Sequence, residues 1–414
     1  MGNLLTTPIS KFILEGMMSA LQLEEDELGY MADGGEEKGK NRHRDRGFAP
    51  REVSYLTDAQ FRTMFRMSRA SFEKLLELIE PFMPESDEEM ASRSSGSVVS
   101  NRTKLHITLR WLAGGSYLDL IMLWGVAKGT FFDTGERGVV WPVIEAIDQA
   151  FLLGLPVHDR AELLHMADKF SHFTRGEMWG CVTAIDGWVA RTRQPFGWEV
   201  DDVKAYYNRH GFFGLVVLAG CDACCRFTMF SCKNTGSTND VIAWELSQLK
   251  TCMDQELLPP EFYLIGDEAF VNTNQFLVPY SGRGIGVWKD SFNFHLSVMR
   301  QCIERAFAYL VQRWGVLWRP LKISFWRWTL LLTVLAKLHN FCIDESETIP
   351  PHRYQGDVEF DDADDVLENE EEISEEDYIR ARYSFSADRR TGFTHDLRDK
   401  GARRPNYASM NSRA

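Results

Sequence analysis

Nowhere does the 414-residue chain hold the roughly 20 uninterrupted apolar residues that a membrane-spanning helix needs. Its most apolar late stretch, 325–342, carries Arg327 and Lys337 and reads as a core helix. The first twenty residues lack a basic start followed by a clean apolar core, so no secretory signal is evident. Eight cysteines are too sparse for a disulfide framework in a chain this long, which makes a reducing intracellular compartment the expectation. Zinc is poorly served too. Cys221, Cys224, Cys225 and Cys232 offer a single C-x₂-C pair, with no second pair at ribbon spacing, and the ten histidines form no clear ligand pair. An excess of positive charge is also missing. A net charge of −14 argues against a nucleic-acid partner until its distribution is read. Residues 346–377 hold 14 acids and one base, residues 378–414 hold nine bases and three acids, and residues 178–345 hold 16 of each. The acidity belongs to a tail.

What is present suffices for a large folded body. A hydrophobic content of 44% with 12% aromatics supports a packed core, and the length allows two or three domains at roughly 100–200 residues each. Residues 1–53 are rich in glycine and charge and read as disordered. They contain a basic cluster, Lys38 to Arg46, that suits nuclear import, a nucleic-acid patch or a solvated linker, and Met1-Gly2 opens a loose myristoylation pattern. Residues 54–172 read as helical: Phe72, Leu75, Leu76, Ile79 and Phe82 fall at helical spacing, with Ser68 or Ser71 as cap. A polar break spans 85–100. Two short helices around Gly114-Gly115-Ser116, then a third reaching about Phe151, form a helix-turn-helix-like pattern, although Gly135 and Gly138 weaken its recognition helix. From 178 to 345 strands dominate first, over 181–190, 211–220, 226–232 and 262–265. One helix is predicted over 239–253, and others follow at 296–314 and 325–342. This order implies an α/β layer structure. Residues 346–414 read as an acidic, then basic, disordered tail, either a spacer or a DNA mimic for its own chain.

Three acids carry the chemistry. Asp186 closes the apolar run 181–185, Asp267 closes 262–266, and Glu304 sits on a long amphipathic stretch. On that stretch Ile303, Phe307, Leu310 and Trp314 form the apolar stripe, while Ser297, Arg300, Gln301 and Glu304 line a polar face. Carboxylates at strand ends, joined by one from a helix, are what hard divalent cations need, and two such ions can serve phosphoryl transfer. Taken singly, Asp186 and Asp267 also look like turn residues. Glu304 also looks like a surface partner of Arg300, and Asp240 like a helix N-terminal acid.

The ordered strings make the pattern specific. They are Ala184-Ile185-Asp186-Gly187, Tyr206-Tyr207-Asn208-Arg209-His210-Gly211, Gly236-Ser237-Thr238-Asn239-Asp240 and Ile265-Gly266-Asp267-Glu268-Ala269-Phe270. Phe292-Asn293-Phe294 then leads into Arg300 to Phe307, and Leu338-His339-Asn340 closes the series. Together they resemble PIF/Harbinger-type transposases and the nucleases derived from them, which are DDE endonucleases. Asn239 and Phe270 stand where that family usually has His and Tyr. The resemblance implies an α/β, ribonuclease-H-like catalytic domain at 178–345, a mixed sheet flanked by helices, preceded by an all-α, helix-turn-helix-like domain at 54–172. It implies Asp186, Asp267 and Glu304 as catalytic and metal-holding residues for Mg²⁺ or Mn²⁺, with Asp240, Arg300 and Arg305 as auxiliaries. It further implies DNA as substrate, a separate Myb-like DNA-binding partner, self-association, and a nuclear location reached with a partner's help. The competing expectation is a domesticated, non-catalytic nuclear protein that binds DNA or another protein.

Overall fold

The computed structural model describes residues 46–84, 98–135, 137–282, 285–347 and 389–405. The myristoylation pattern, the basic cluster apart from Arg46, most of the polar break and the acidic run from 348 onward lie outside the described residues.

Helices come first, with ends set by short polar caps. After α1 (Phe48–Tyr55), Thr57 and Gln60 form a reciprocal capping box at the start of α2 (Asp58–Phe65). Ser68, rather than Ser71, caps α3 (Arg69–Ile79), and Ser100 caps α4 (Asn101–Leu112). Next come α5 (Tyr117–Leu123), α6 (Lys128–Phe131), α7 (Val140–Ala150) and α8 (Arg160–His172), the last capped by Asp159. The trihelical pattern is therefore there in outline, with Gly135 and Gly138 ahead of the third helix and not in it. Val140, Trp141, Val143, Ile144, Ala146 and Ile147 of α7 are all buried. Its polar positions, Glu145, Asp148 and Gln149, lie off that buried stripe.

The sheet follows: β1 (Cys181–Arg191), β2 (Gly214–Cys221), β3 (Phe227–Thr235), β4 (Tyr263–Ile265) and β5 (Phe276–Leu277). Between β3 and β4 lie α9 (Asp240–Glu245) and α10 (Gln248–Asp254), where one helix is predicted. Ser247 separates them, its side chain capping α10. After β5 come α11 (Val287–Arg313), α12 (Trp328–Asp344) and α13 (Arg389–Asp399). The sheet order is β3-β2-β1-β4-β5. β1, β2 and β3 pair antiparallel, whereas β4 runs parallel to both β1 and β5. Side chains of β2 alternate between two cores: Leu215, Val217, Ala219 and Cys221 face the α11–α12 side, and Val216 and Leu218 face α8 and α9.

The helical region and the sheet body share one core. Phe61, Phe72, Leu105 and Ile144 belong to the same buried cluster as Phe307, Trp314 and Leu335. Arg327 pairs with Glu145 and Lys337 with Asp148 across the contact. At Gly114 (φ +97°) the chain passes so close to Gly315 that a Cβ on Gly315 would sit 2.5 Å from the Ala113 carbonyl oxygen. Arg313, fully buried, donates to the carbonyls of Arg66 and Glu347, each at 3.0 Å.

Two segments expected to be disordered are in part folded. Residues 48–53 belong to α1. In the expected tail, Glu347 is buried, accepting from Ser68 N at 2.7 Å, Ser71 Oγ at 2.5 Å and Arg62 Nε at 3.0 Å. Farther on, α13 docks on the sheet body. Arg389 donates to the Phe262 carbonyl at 3.2 Å, Tyr280 and Thr394 share a 3.1 Å hydrogen bond, and Leu397 is fully buried. The terminal motif also proves structural. His339 Nε2 lies 2.9 Å from the Cys225 carbonyl, and Asn340 bonds both the N–H and the carbonyl of Phe227, clamping α12 to the β2–β3 hairpin.

Candidate active site

β1 does not stop at Asp186. The strand runs five residues farther, because its antiparallel pairing with β2 continues to Arg191 opposite Gly214. Its parallel pairing with β4, however, ends at Ala184 opposite Ile265. Asp186 and Asp267 each stand two residues beyond that last pair and so come level at the open carboxyl end of β4. A turn forms there because Asp267 Oδ1 accepts the Ala269 N–H at 3.0 Å.

The third acid arrives across the sheet face. Asp186 pairs with Ala219, whose side chain lies in the α11 core, so the Asp186 carboxylate points at α11. Two residues on, Trp188 packs against Phe307 of α11 with ring centroids 5.7 Å apart, which fixes the docking of helix on strand. Arg300 then bridges the acids. Its Nη1 donates to Asp186 Oδ2 at 3.1 Å and its Nη2 to Glu304 Oε1 at 2.9 Å. Asp186 is the buried member, its side chain 19% exposed against 48% for Glu304. Burial pushes the Asp186 carboxyl up to about 6, against the opposing pull of Arg300 and the Gly187 N–H; Asp267 and Glu304 add a smaller push upward.

Asp240 joins from the other face. It opens α9, which Asn239 caps by accepting the Ile242 N–H at 2.9 Å, so the departure from His at 239 has a local use. The Asp240 carboxylate lies directly over Gly187: a Cβ there would meet its Oδ1 at 2.1 Å. Burial and then Asp267 raise its carboxyl, and Arg209 pulls the other way. Gly187 and Arg209 stand in the ordered strings but carry no role of their own there. A glycine directly after the first acid was the available signal. Arg305 does not join Asp186; its guanidinium lies over the Phe173 ring at 5.8 Å.

The donors are of the right kind for Mg²⁺ or Mn²⁺, being carboxylate oxygens, and those of Asp186 and Asp240 are raised in proton affinity by burial first and then by neighbouring acids. They are not gathered as a cage: among the described residues no three Asp, Glu, His or Cys side chains converge to hold an ion. Arg300 serves as the local cation. Asp186 Oδ2 is held by that guanidinium and Oδ1 by the Gly187 N–H at 2.8 Å, so an ion on Asp186 would compete with Arg300. Cys221 and Cys302, with sulfurs 3.4 Å apart, are buried thiols on the same side of the sheet, and every cysteine is free.

Gly187→Ala is a sharp probe of Asp240. The new methyl would meet the mobile end of a side chain, not backbone, so stability should change by less than about 1 kcal/mol. Asp240 must rotate away, and activity should fall as far as in Asp240→Ala. An active Gly187→Ala protein beside an inactive Asp240→Ala protein would remove Asp240's position from the account.

Residues 185–340 match a protein family described as DDE superfamily endonuclease. That span encloses Asp186, Asp240, Asp267, Arg300 and Glu304. No curated protein and no solved structure matches the chain. Among the described residues, no helix is long and apolar enough to cross a membrane.

Proposed function

We propose that this chain is a divalent-metal-dependent DNA endonuclease, cleaving phosphodiesters or transferring the cut strand, with Asp186, Asp267 and Glu304 as its metal-holding acids. One observation carries the reading: Asp186 and Asp267 stand level beyond the last β1–β4 pair and Arg300 links Asp186 to Glu304, all inside a span that matches an endonuclease family. The finer assignment, to the PIF/Harbinger type with a Myb-like partner and a nuclear location, rests on the ordered strings from Asp186 to Asn340.

When bound, Mg²⁺ or Mn²⁺ supplies Lewis-acid stabilisation of phosphate charge and a more acidic attacking water or 3′-hydroxyl. The protein's own residues do the rest. Asp186, protonated below about pH 6, makes proton and cation compete for one carboxylate. Arg300 keeps Asp186 and Glu304 apart from each other's charge, and once released its planar fork suits a phosphate. Arg209 offsets the charge on Asp240.

The Arg300 bridge also favours a second reading, in which a fixed internal cation has replaced the metal and the protein only binds DNA or a partner. Titration calorimetry with Mn²⁺, with and without a DNA duplex, separates the two. The nuclease reading expects binding in the wild type and none in Asp186→Asn. Heat absent from both, with DNA present, moves the assignment to the non-catalytic reading.

A further inference from the structure

The loop after β1 and the segment before α12 are built into one pedestal that ends in two exposed indoles. Thr192 bridges to Leu321, and Arg193 N donates to the Leu321 carbonyl at 3.1 Å. Beneath them lies an ion pair almost out of solvent. Arg193 forks onto both oxygens of Glu199, at 2.8 and 2.5 Å, with side chains 12% and 1% exposed. Glu199 also accepts the Phe196 N–H at 2.9 Å and the Phe325 N–H at 3.4 Å, so one carboxylate fixes both loops. On this base Trp198 stacks on Phe196, centroids 5.6 Å apart and planes 8° from parallel, and Trp326 stands edge-on to Phe325 at 5.0 Å. Yet Trp198 is 60% exposed and Trp326 65%.

A desolvated ion pair is an expensive way to hold a surface loop, and large exposed indoles lose favourable burial. Rigid aromatic faces standing in water suit a ligand that has flat faces of its own. The surrounding charge selects among such ligands. Lys204, Arg209, Arg319 and Lys322 are exposed, against exposed Asp201 and Asp202, and residues 315–327 hold no acid at all. The same loop reaches the acid site: Ser237 N donates to the Ala205 carbonyl at 2.9 Å beside the start of α9, and Arg209 acts on Asp240.

We propose that Trp198 and Trp326 stack on unpaired DNA bases flanking the scissile phosphodiester, with Lys204, Arg209, Arg319 and Lys322 holding the backbone of that strand. This rests on the proposed DNA-cleaving function and names the form of DNA the site takes. Base–aromatic stacking is indifferent to sequence, whereas a closed duplex hides the base faces.

The test is fluorescence anisotropy in EDTA with the full chain, using a labelled oligothymidylate of about 20 nucleotides and a duplex of equal length. Trp198→Ala and Trp326→Ala should each weaken single-strand binding about 5- to 100-fold, leave duplex binding within about twofold, and leave the salt dependence unchanged. Trp198→Phe and Trp326→Phe should retain most of the affinity. Thermal melts should match the wild type, since both side chains are mostly exposed. Unchanged single-strand affinity in both alanine variants overturns the proposal and turns these aromatics toward a protein partner. Equal loss on duplex and single strand overturns it as well. If the wild type binds neither form, the nuclease reading falls first and this proposal with it.

Discussion

Asp186→Asn should destroy metal-dependent DNA cleavage, by at least about a thousandfold, and at the same time make the protein more stable at neutral pH. The activity arm follows from its place among the acids. The stability arm follows from the raised carboxyl. An aspartate titrates near 3.8 when unfolded and near 6 here, so the folded state binds the proton more tightly. That preference stabilises the fold fully below about pH 3.8 and is lost as the pH climbs through 6. At pH 7.5 the native protein holds an unwelcome charge worth about 3 kcal/mol, a figure that already includes the opposing pull of Arg300. Urea unfolding in EDTA should therefore show a gain of roughly 1–3 kcal/mol for the variant at pH 7.5, vanishing near pH 4. Saturating Mn²⁺ should close the gap by stabilising only the wild type. A variant that still cuts DNA would sink the assignment. Equal stability at both pH values would sink the buried-charge account and leave the catalytic one standing.

Glu347→Ala should cost about 1–3 kcal/mol, because it leaves the Ser68 N–H and the buried Ser71 hydroxyl without their acceptor, while Arg62, 44% exposed, returns to water. One carboxylate there accepts from Ser68 N, Ser71 Oγ and Arg62 at once. Burial alone would push its carboxyl up, but the hydrogen bonds from Ser68 and Ser71 outweigh it and hold the group below its ordinary 4.5. A depressed acid contributes stability above pH 4.5 that is lost as the pH falls through its folded value, so the gap between variant and wild type should narrow in acid. Glu347→Gln, which keeps an acceptor, should cost about half as much. An alanine variant within about 0.5 kcal/mol of wild type would mean this junction is not holding the helices.

The strands of the sheet could be read from apolar runs bounded by Asp and Gly, and the acids could be placed in order along the chain. Their grouping was less legible. Asp186 looks like a strand terminus because polarity begins there, while the pairing that carries β1 on to Arg191 is tertiary. β5 is two residues, Phe276 and Leu277, too short for any period to register. The break at Ser247 was hidden because a serine inside an apolar-periodic stretch reads as a helix surface. In α13 only Phe393 and Leu397 are large and apolar, so the segment resembles solvated tail. Arg389 and Arg390 secure it through carbonyls of 260–279, partners that sequence spacing cannot name. The bridging role of Arg300 was half visible, since its spacing to Glu304 is helical and its reach to Asp186 is not.

The seam between the early helices and the sheet has a consequence for how this protein can be divided. Arg313 reaches back to Arg66, Glu347 holds Ser68, and Gly315 touches Gly114, so residues far apart in the chain close the same interior. A fragment trimmed to the family-matched 185–340 would leave Phe307, Trp314 and Leu335 facing water on one side. The helical region is thus not a detachable cassette: cutting between it and the acid-bearing body would open a single interior on both sides.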